Sequence, residues 1–265
     1  MSDSENDLIS RTIRFLNQQK EMYGEFQVVA ATKSQKHESG STRTESIPES
    51  AVSEVEETKE EYSSEAKKEL SEAELIAQCS TLDELRTLCE SAEALKTDLQ
   101  GTNLVFGVGN PNADLMIVGE APGFNEDKQG EPFVGQAGQL LDKIIGAINF
   151  KREDIYIANI LKHRPPDNRN PKAEERAKSL PYLLKQIELV DPKLILCVGR
   201  VSATTLLVKD DSLKNMRSKF HEFHGRELMV TYHPAALLRN AQWKRPTWED
   251  VQKLRERYDE LRGQP

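Results

Sequence analysis

A three-layer α/β/α sandwich around a central, mainly parallel four-stranded sheet is the fold this sequence predicts, and three observations carry it. Four short apolar runs recur, LMIVG (115–119), IYIANI (155–160), LILCVG (194–199) and LMVTY (228–232), each short and continuous enough to be a strand buried on both faces. Helical patterns separate them: GQLLDKIIGAI sets Leu140, Leu141, Ile144, Ile145 and Ile148 on one stripe, and 174–190 and 201–208 also read as helices. Crossovers of that length join parallel strands. Third, the strand ends carry Glu120, Asn159 and His233, and open parallel sheets bind ligands beyond the carboxyl ends of their strands.

The elements follow in order from the N-terminus. In residues 7–23, Leu8, Ile9, Ile13, Phe15 and Leu16 fall near helical spacing, the pattern of a short amphipathic helix within an N-terminal segment 1–31. Residues 32–74 are rich in Ser, Thr, Glu and Lys with almost no aromatics. Such a composition buries too little apolar surface to offset chain entropy, so a disordered linker is expected. It is acidic, with 12 acidic and 5 basic side chains over 35–74. Its simplest role is a solvating spacer; a docking site for a protein partner is the alternative. One domain, 75–265, remains. Within it, Leu82, Leu85, Leu88, Ala92 and Leu95 form a stripe across 80–96, consistent with a helix packed on the body.

Residues 75–265 hold 27 side chains of each sign, so most of the formal charge of -8 lies in the tail. A basic coat over the whole chain is thereby excluded. Three cysteines, Cys79, Cys89 and Cys197, are too few and odd in number for a secreted disulfide framework and point to a reducing compartment. No apolar run approaches the ~18 residues of a membrane span, and MSDSENDLIS lacks a signal pattern. The expectation is a monomeric intracellular, cytoplasmic protein away from membranes. Gly107-Val-Gly109 resembles the start of a dinucleotide fingerprint, but Asn110-Pro111-Asn112 leads into a strand rather than a helix, so that reading is discarded.

A carboxylate, a carboxamide and an imidazole with no nucleophilic Ser or Cys beside them suit recognition of a planar polar ligand and activation of water. Asn159 can pair in two-pronged fashion with an amide-like edge such as uracil presents. His233 can donate to an oxygen that gathers charge as a leaving group departs. Taken singly, each is equally well a strand-end residue capping a loop. Gly119 and Gly123 flank Glu120, Ala121 and Pro122, so backbone can approach a ligand closely there, while Pro122 keeps the preceding residue extended. Phe133 lies among Pro and small residues. Unaided, it reads as a core plug before a stacking platform for a base.

Over roughly 83–261 the chain resembles the family-four uracil-DNA glycosylases. VGEAPGFNED (118–127), GEPFVGQAGQLLD (130–142), IYIANILKHRPPDNRNP (155–171) and TYHPAALLRN (231–240) carry the resemblance. It implies that Phe133 stacks on an extruded base, Asn159 reads its Watson-Crick edge, and His233 donates to the uracil oxygen. Ala121, Pro122 and Gly123 would line the pocket. The bond would break through an oxocarbenium-like sugar with water as nucleophile. Water would be held by Glu120 or, as a second candidate, by Glu126 paired with Asn168. Residues 233–239 look like the family's minor-groove wedge, with Leu237, Leu238 or Arg239 filling the gap left by the flipped nucleotide. Lys162, Arg164, Arg169, Arg200 and Arg239 would meet phosphates. Phe133 and the backbone near Gly123 are candidates for rejecting the thymine methyl.

The resemblance also implies a four-iron, four-sulfur cluster held by four cysteines, and here the sequence departs from it. The corresponding positions are Cys89, Ala92, His163 and Ser179. Such clusters need soft thiolates, so no cluster is expected; a mononuclear zinc site on Cys79, Cys89 and His163 is the minor alternative. Burial of the 80–96 stripe would replace the metal staple. Three readings follow: a monofunctional enzyme that excises uracil from single- or double-stranded DNA, with no lysine evident for strand cutting, a non-catalytic module binding uracil-bearing or damaged DNA, or a generic α/β domain binding some other small amide. Retention of Glu120, Phe133, Asn159 and His233 favours the enzyme.

Overall fold

The computed structural model describes residues 70–261. The amphipathic segment 7–23 and nearly all of the 32–74 linker lie outside the described residues. The last turn assigned to that linker is helical: α1 (Glu72–Gln78) starts at Ser71, whose side chain accepts from the Glu74 amide while Glu74 accepts from the Ser71 amide. A second reciprocal capping box, Thr81 with Glu84, opens α2 (Leu82–Ser91). Both are S/T-x-x-E signatures that satisfy amides at a helix start.

The four buried runs form the parallel centre of the sheet: β2 (Leu115–Gly119), β3 (Tyr156–Asn159), β4 (Leu194–Val198) and β6 (Arg226–Thr231). Two antiparallel edge strands, β1 (Val108–Gly109) and β5 (Phe220–Phe223), complete a six-stranded sheet in the order β1-β3-β2-β4-β6-β5. The four-strand expectation therefore covers the centre and misses the edges. Neither edge strand is an apolar run: β1 is two residues long, and β5 is FHEF with only Phe223 buried. The β5-β6 hairpin turns through His224 and Gly225 at φ 50° and 77°. Paired positive φ values match the right-handed twist of the strands.

Residue alternation divides the sheet. Leu115 and Ile117 of β2, Ile157 of β3, Leu194, Leu196 and Val198 of β4 and Met229 of β6 join Leu141 and Ile145 of α4 (Gln136–Gly146) and Val251, Leu254 and Tyr258 of α9 (Lys244–Glu260) in one core. The opposite face meets α5 (Ala173–Val190) at β3 and α6 (Arg200–Leu207) at β4, and a short α7 (Leu213–Met216) precedes β5. Three layers result. The 80–96 stripe packs with α1 and α5 in a smaller cluster of Ile76, Cys79, Leu85, Cys89, Leu95, Phe106 and Tyr182. At the end of β6, buried Asp250 of α9 accepts from Thr231 at 2.7 Å and takes both prongs of Arg217 at 2.9 and 3.0 Å. That network ties α9 to the strand that delivers His233.

Candidate active site at the strand ends

Register brings the site together. Gly119 ends β2 directly beside Asn159, which ends β3. A Cβ on Gly119 would lie 2.3 Å from Asn159 Oδ1 and 2.6 Å from Phe133 Cζ, so only glycine leaves room for the carboxamide and the ring to meet here. Phe133 is buried, and its ring stacks on the His233 imidazole at 5.6 Å and 29°. Its burial fits the plug reading; its neighbours fit the platform reading. Asn159 is buried, and its Oδ1 has no hydrogen-bond partner. A buried acceptor without a donor is costly in a folded protein.

His233 is the N-cap of α8 (Pro234–Arg239), and its Nδ1 accepts from the Ala235 amide at 3.1 Å. Burial, with a smaller contribution from Arg239, pushes its pKa down to about 4. At neutral pH the ring is uncharged, and because Nδ1 is an acceptor its one proton sits on Nε2. The cap thus selects the tautomer whose free nitrogen donates. Gly199, at φ +101°, lets β4 pass close below: a Cβ there would lie 3.2 Å from His233 Cβ.

The two carboxylate candidates separate. Burial raises Glu120 above the ordinary carboxylate value, opposed by Arg176, and no hydrogen bond occupies its carboxylate among the contacts of the described residues. Glu126 is a backbone binder: Oε1 accepts from the Val134 and Gly135 amides at 3.0 and 2.9 Å, and Oε2 from Gly123 at 3.2 Å. Asn168, the partner expected for Glu126, instead accepts from Arg164 Nε at 2.7 Å. The pair anticipated to hold water has different partners because the Glu126 carboxylate caps α3 (Phe124–Gln129) and its neighbouring loop. Ala121 and Gly123 are half-buried and Pro122 buried beside it.

The basic rim is smaller than expected. Lys162 is fully buried, donating to Asn159 O at 3.0 Å, Phe106 O at 3.3 Å and Gln186 Oε1. It points inward beneath the strand end because three oxygens there replace the water its ammonium loses; burial lowers its pKa to about 7. Arg169 is clamped in two-pronged fashion by Glu175 at 2.6 and 2.8 Å, and Arg200 reaches Asp210 at 2.6 Å. Arg164 lies over the exposed Phe124 ring at 5.2 Å, and Arg239 is exposed. In the expected wedge, Leu237 is buried while Leu238 is 50% exposed. Helical geometry turns one leucine to the core and the next outward.

The residues at the cluster-equivalent positions do not fit an iron-sulfur cluster. Ala92 has no donor atom, Ser179 gives its hydroxyl to Ile160 O at 2.7 Å, and His163 Nδ1 pairs with Thr102 Oγ1 at 3.0 Å. Among the described residues no three His, Cys, Asp or Glu side chains group as metal ligands, so the Cys79, Cys89 and His163 zinc alternative finds no assembled site.

Sequence reasoning missed Gln186 and Arg152, and it read Gly119 as a point of close approach to a ligand rather than to Asn159 and Phe133. Gly119 was legible as the last residue of a buried run; Gln186 and Arg152 act across 24 and 19 residues from their partners without any motif.

An α/β sheet thus presents at one rim a carboxamide with an unpaired oxygen, an aromatic ring and a neutral imidazole, groups whose chemistry suits a planar polar ligand. The profile of the uracil DNA glycosylase superfamily matches residues 106–254, and the chain belongs to that superfamily. It is 41% identical over 176 residues to the Type-4 uracil-DNA glycosylase of Archaeoglobus fulgidus, covering 63% of this chain and 87% of the relative. The enzymes of that name from Saccharolobus solfataricus and Thermotoga maritima are 43% and 39% identical, over 58% and 59% of this chain and 76% and 84% of theirs. No described helix is long and apolar enough to cross a membrane.

Proposed function

We propose that the chain is a DNA repair glycosylase that hydrolyses the N-glycosidic bond of uracil and leaves an abasic site. The observation that carries this is the buried, unpaired Oδ1 of Asn159 beside Phe133: an acceptor kept dry and vacant suits an imide N-H. The amide nitrogen of the same side chain donates to a uracil carbonyl. The nucleotide leaves the stack before any of these groups reach it, and Phe133 covers the flipped base. As the C1′-N1 bond breaks, its electron pair passes into the uracil ring and His233 Nε2-H donates to the oxygen that gains charge. Water adds to C1′ on the other side and gives its proton to the Glu120 carboxylate. Glu126 serves as a loop anchor and Asn168 as a partner of Arg164.

Exposed Leu238 and Arg239, with Arg164 and Arg200, form the DNA-facing part of residues 75–265, Leu238 being the wedge. Lys162, Arg169 and Leu237 are held inside. No cluster takes part in the reaction, because only Cys89 of the four equivalent positions carries a thiol. The acidic 32–74 stretch links the N-terminal segment to this domain as a spacer or partner site.

The test is incubation of the purified protein in EDTA with an oligonucleotide bearing one deoxyuridine, single-stranded and opposite G or A, followed by alkali. A strand break at uracil supports the reading. An intact strand with folded protein overturns it.

A further inference from the structure

We propose that Arg152 and Glu126 are two jaws of a backbone clamp that holds Phe133 in the conformation needed to cover an extruded base; this rests on the uracil-excision reading above. Phe133 sits at φ +54°, a left-handed conformation that an aromatic residue adopts only when its surroundings impose it. The surroundings are specific. Arg152 Nη1 donates to the Phe133 carbonyl at 3.2 Å, and Nη2 donates to the Pro132 carbonyl. On the other side, Glu126 Oε1 accepts from the amides of Val134 and Gly135 at 3.0 and 2.9 Å. A guanidinium thus takes two consecutive carbonyls, and a carboxylate takes the next two amides.

Each jaw is braced. Arg152 also pairs with Asp142 of α4 at 3.1 Å, and Glu126 is tied to Gly123 at 3.2 Å. Gly138 closes the third side: a Cβ there would lie 1.8 Å from the Phe133 oxygen, so α4 can approach that carbonyl only as glycine. Arg152 opens the 3-10 turn Arg152–Asp154 just before β3, the strand that ends in Asn159. One short segment therefore fixes the aromatic cover at its start and the base-reading carboxamide at its end. Arg152 belongs to none of the recognition motifs in the sequence, and both jaws act through Phe133. They are positioning residues.

A planar fork that spans two carbonyls is not replaced by a point charge. R152M should lower kcat/KM on a deoxyuridine oligonucleotide about tenfold or more, and R152K should recover part of that loss. A double-mutant cycle reads the route: in an F133L background R152M should cost less than about twofold further, because its target is gone. Equal fold losses in both backgrounds, or R152M with wild-type kinetics, would overturn the clamp. Crystal structures of R152M and R152K without DNA judge the geometry independently of catalysis. Phe133 should move to negative φ and leave its 5.6 Å stack on His233; a Phe133 unchanged in both variants also overturns the proposal. If R152M fails to fold, R152K and E126Q carry the same two readouts. Wild-type protein that leaves deoxyuridine intact counts against the uracil reading, while Phe133 in the variant structures still decides the clamp.

Discussion

The strand-end rim and the 80–96 region solve opposite problems with the same chain. At the rim, an Oδ1 is buried without a partner, an aromatic sits at φ +54°, and a half-buried imidazole is kept uncharged. Around α2, Ser179 and His163 have hydrogen-bond partners and Leu85 and Cys89 lie fully buried in an apolar cluster. Among the described residues, no non-glycine residue of α1 or α2 has a positive φ and none of their buried side-chain atoms lacks a partner, whereas the rim combines both features in the neighbours Phe133 and Asn159. Burial of apolar side chains holds the 80–96 region together, whereas at the rim strand register and close-fitting glycines set the places of the polar groups.

The sharpest break of this contrast is at Asn159 and His233. N159A and H233A should each lower kcat by about 10²–10³-fold, the usual cost of losing one transition-state hydrogen bond. N159A should melt no lower than wild type, since it removes an unpaired buried acceptor. A large fall in melting temperature with activity retained would reverse the assignment.

G119A comes next. Its methyl would overlap Asn159 Oδ1 and the Phe133 ring, so excision should be nearly lost and stability should fall by about 1–3 kcal/mol, as read by denaturant titration beside the activity assay. In the other region the pattern inverts: L85A should cost about 2–5 kcal/mol while the folded fraction keeps wild-type kcat. A matching loss of kcat would mean that the two regions are coupled.

Smaller effects follow from charge. The His233 pKa near 4 lies below its ordinary 6.5. Between those values the unfolded chain binds a proton that the folded one refuses, so this group's contribution is flat above about pH 6.5 and stability drops as pH falls toward 4. H233N should lose that part of the acid decline in melts recorded across the window. Smallest is the DNA rim. R239A should reduce the salt dependence of DNA binding by about one phosphate contact, whereas R169A should change it less because Glu175 already holds that guanidinium; binding isotherms at several salt concentrations compare the two.

The legible parts were those written in local pattern. Leu115 to Gly119 and the other buried runs announced the parallel strands, and the residues after them announced Glu120, Asn159 and His233. The β5 strand escaped because FHEF is half-exposed and its turn is His-Gly, a weaker signal than Asn-Gly. Lys162 was misread as a surface cation since nothing near it in sequence reveals Gln186, on α5, that receives it. Leu237 and Leu238 are chemically alike, and only the direction of α8 separates core from surface.

By itself, the sequence determined the layered α/β fold, the order of its four central strands along the chain, and the identity of the chemical groups at their ends, because short-range periodicity and composition govern where a chain can bury itself. Tertiary structure alone decided which of those groups are available. The uncharged state of His233, the burial of Asn159 Oδ1 without a partner, the inward turn of Lys162 and the grip of Arg152 on Phe133 depend on partners distant in sequence or on the packing around them. Hydrogen bonding and desolvation act through space.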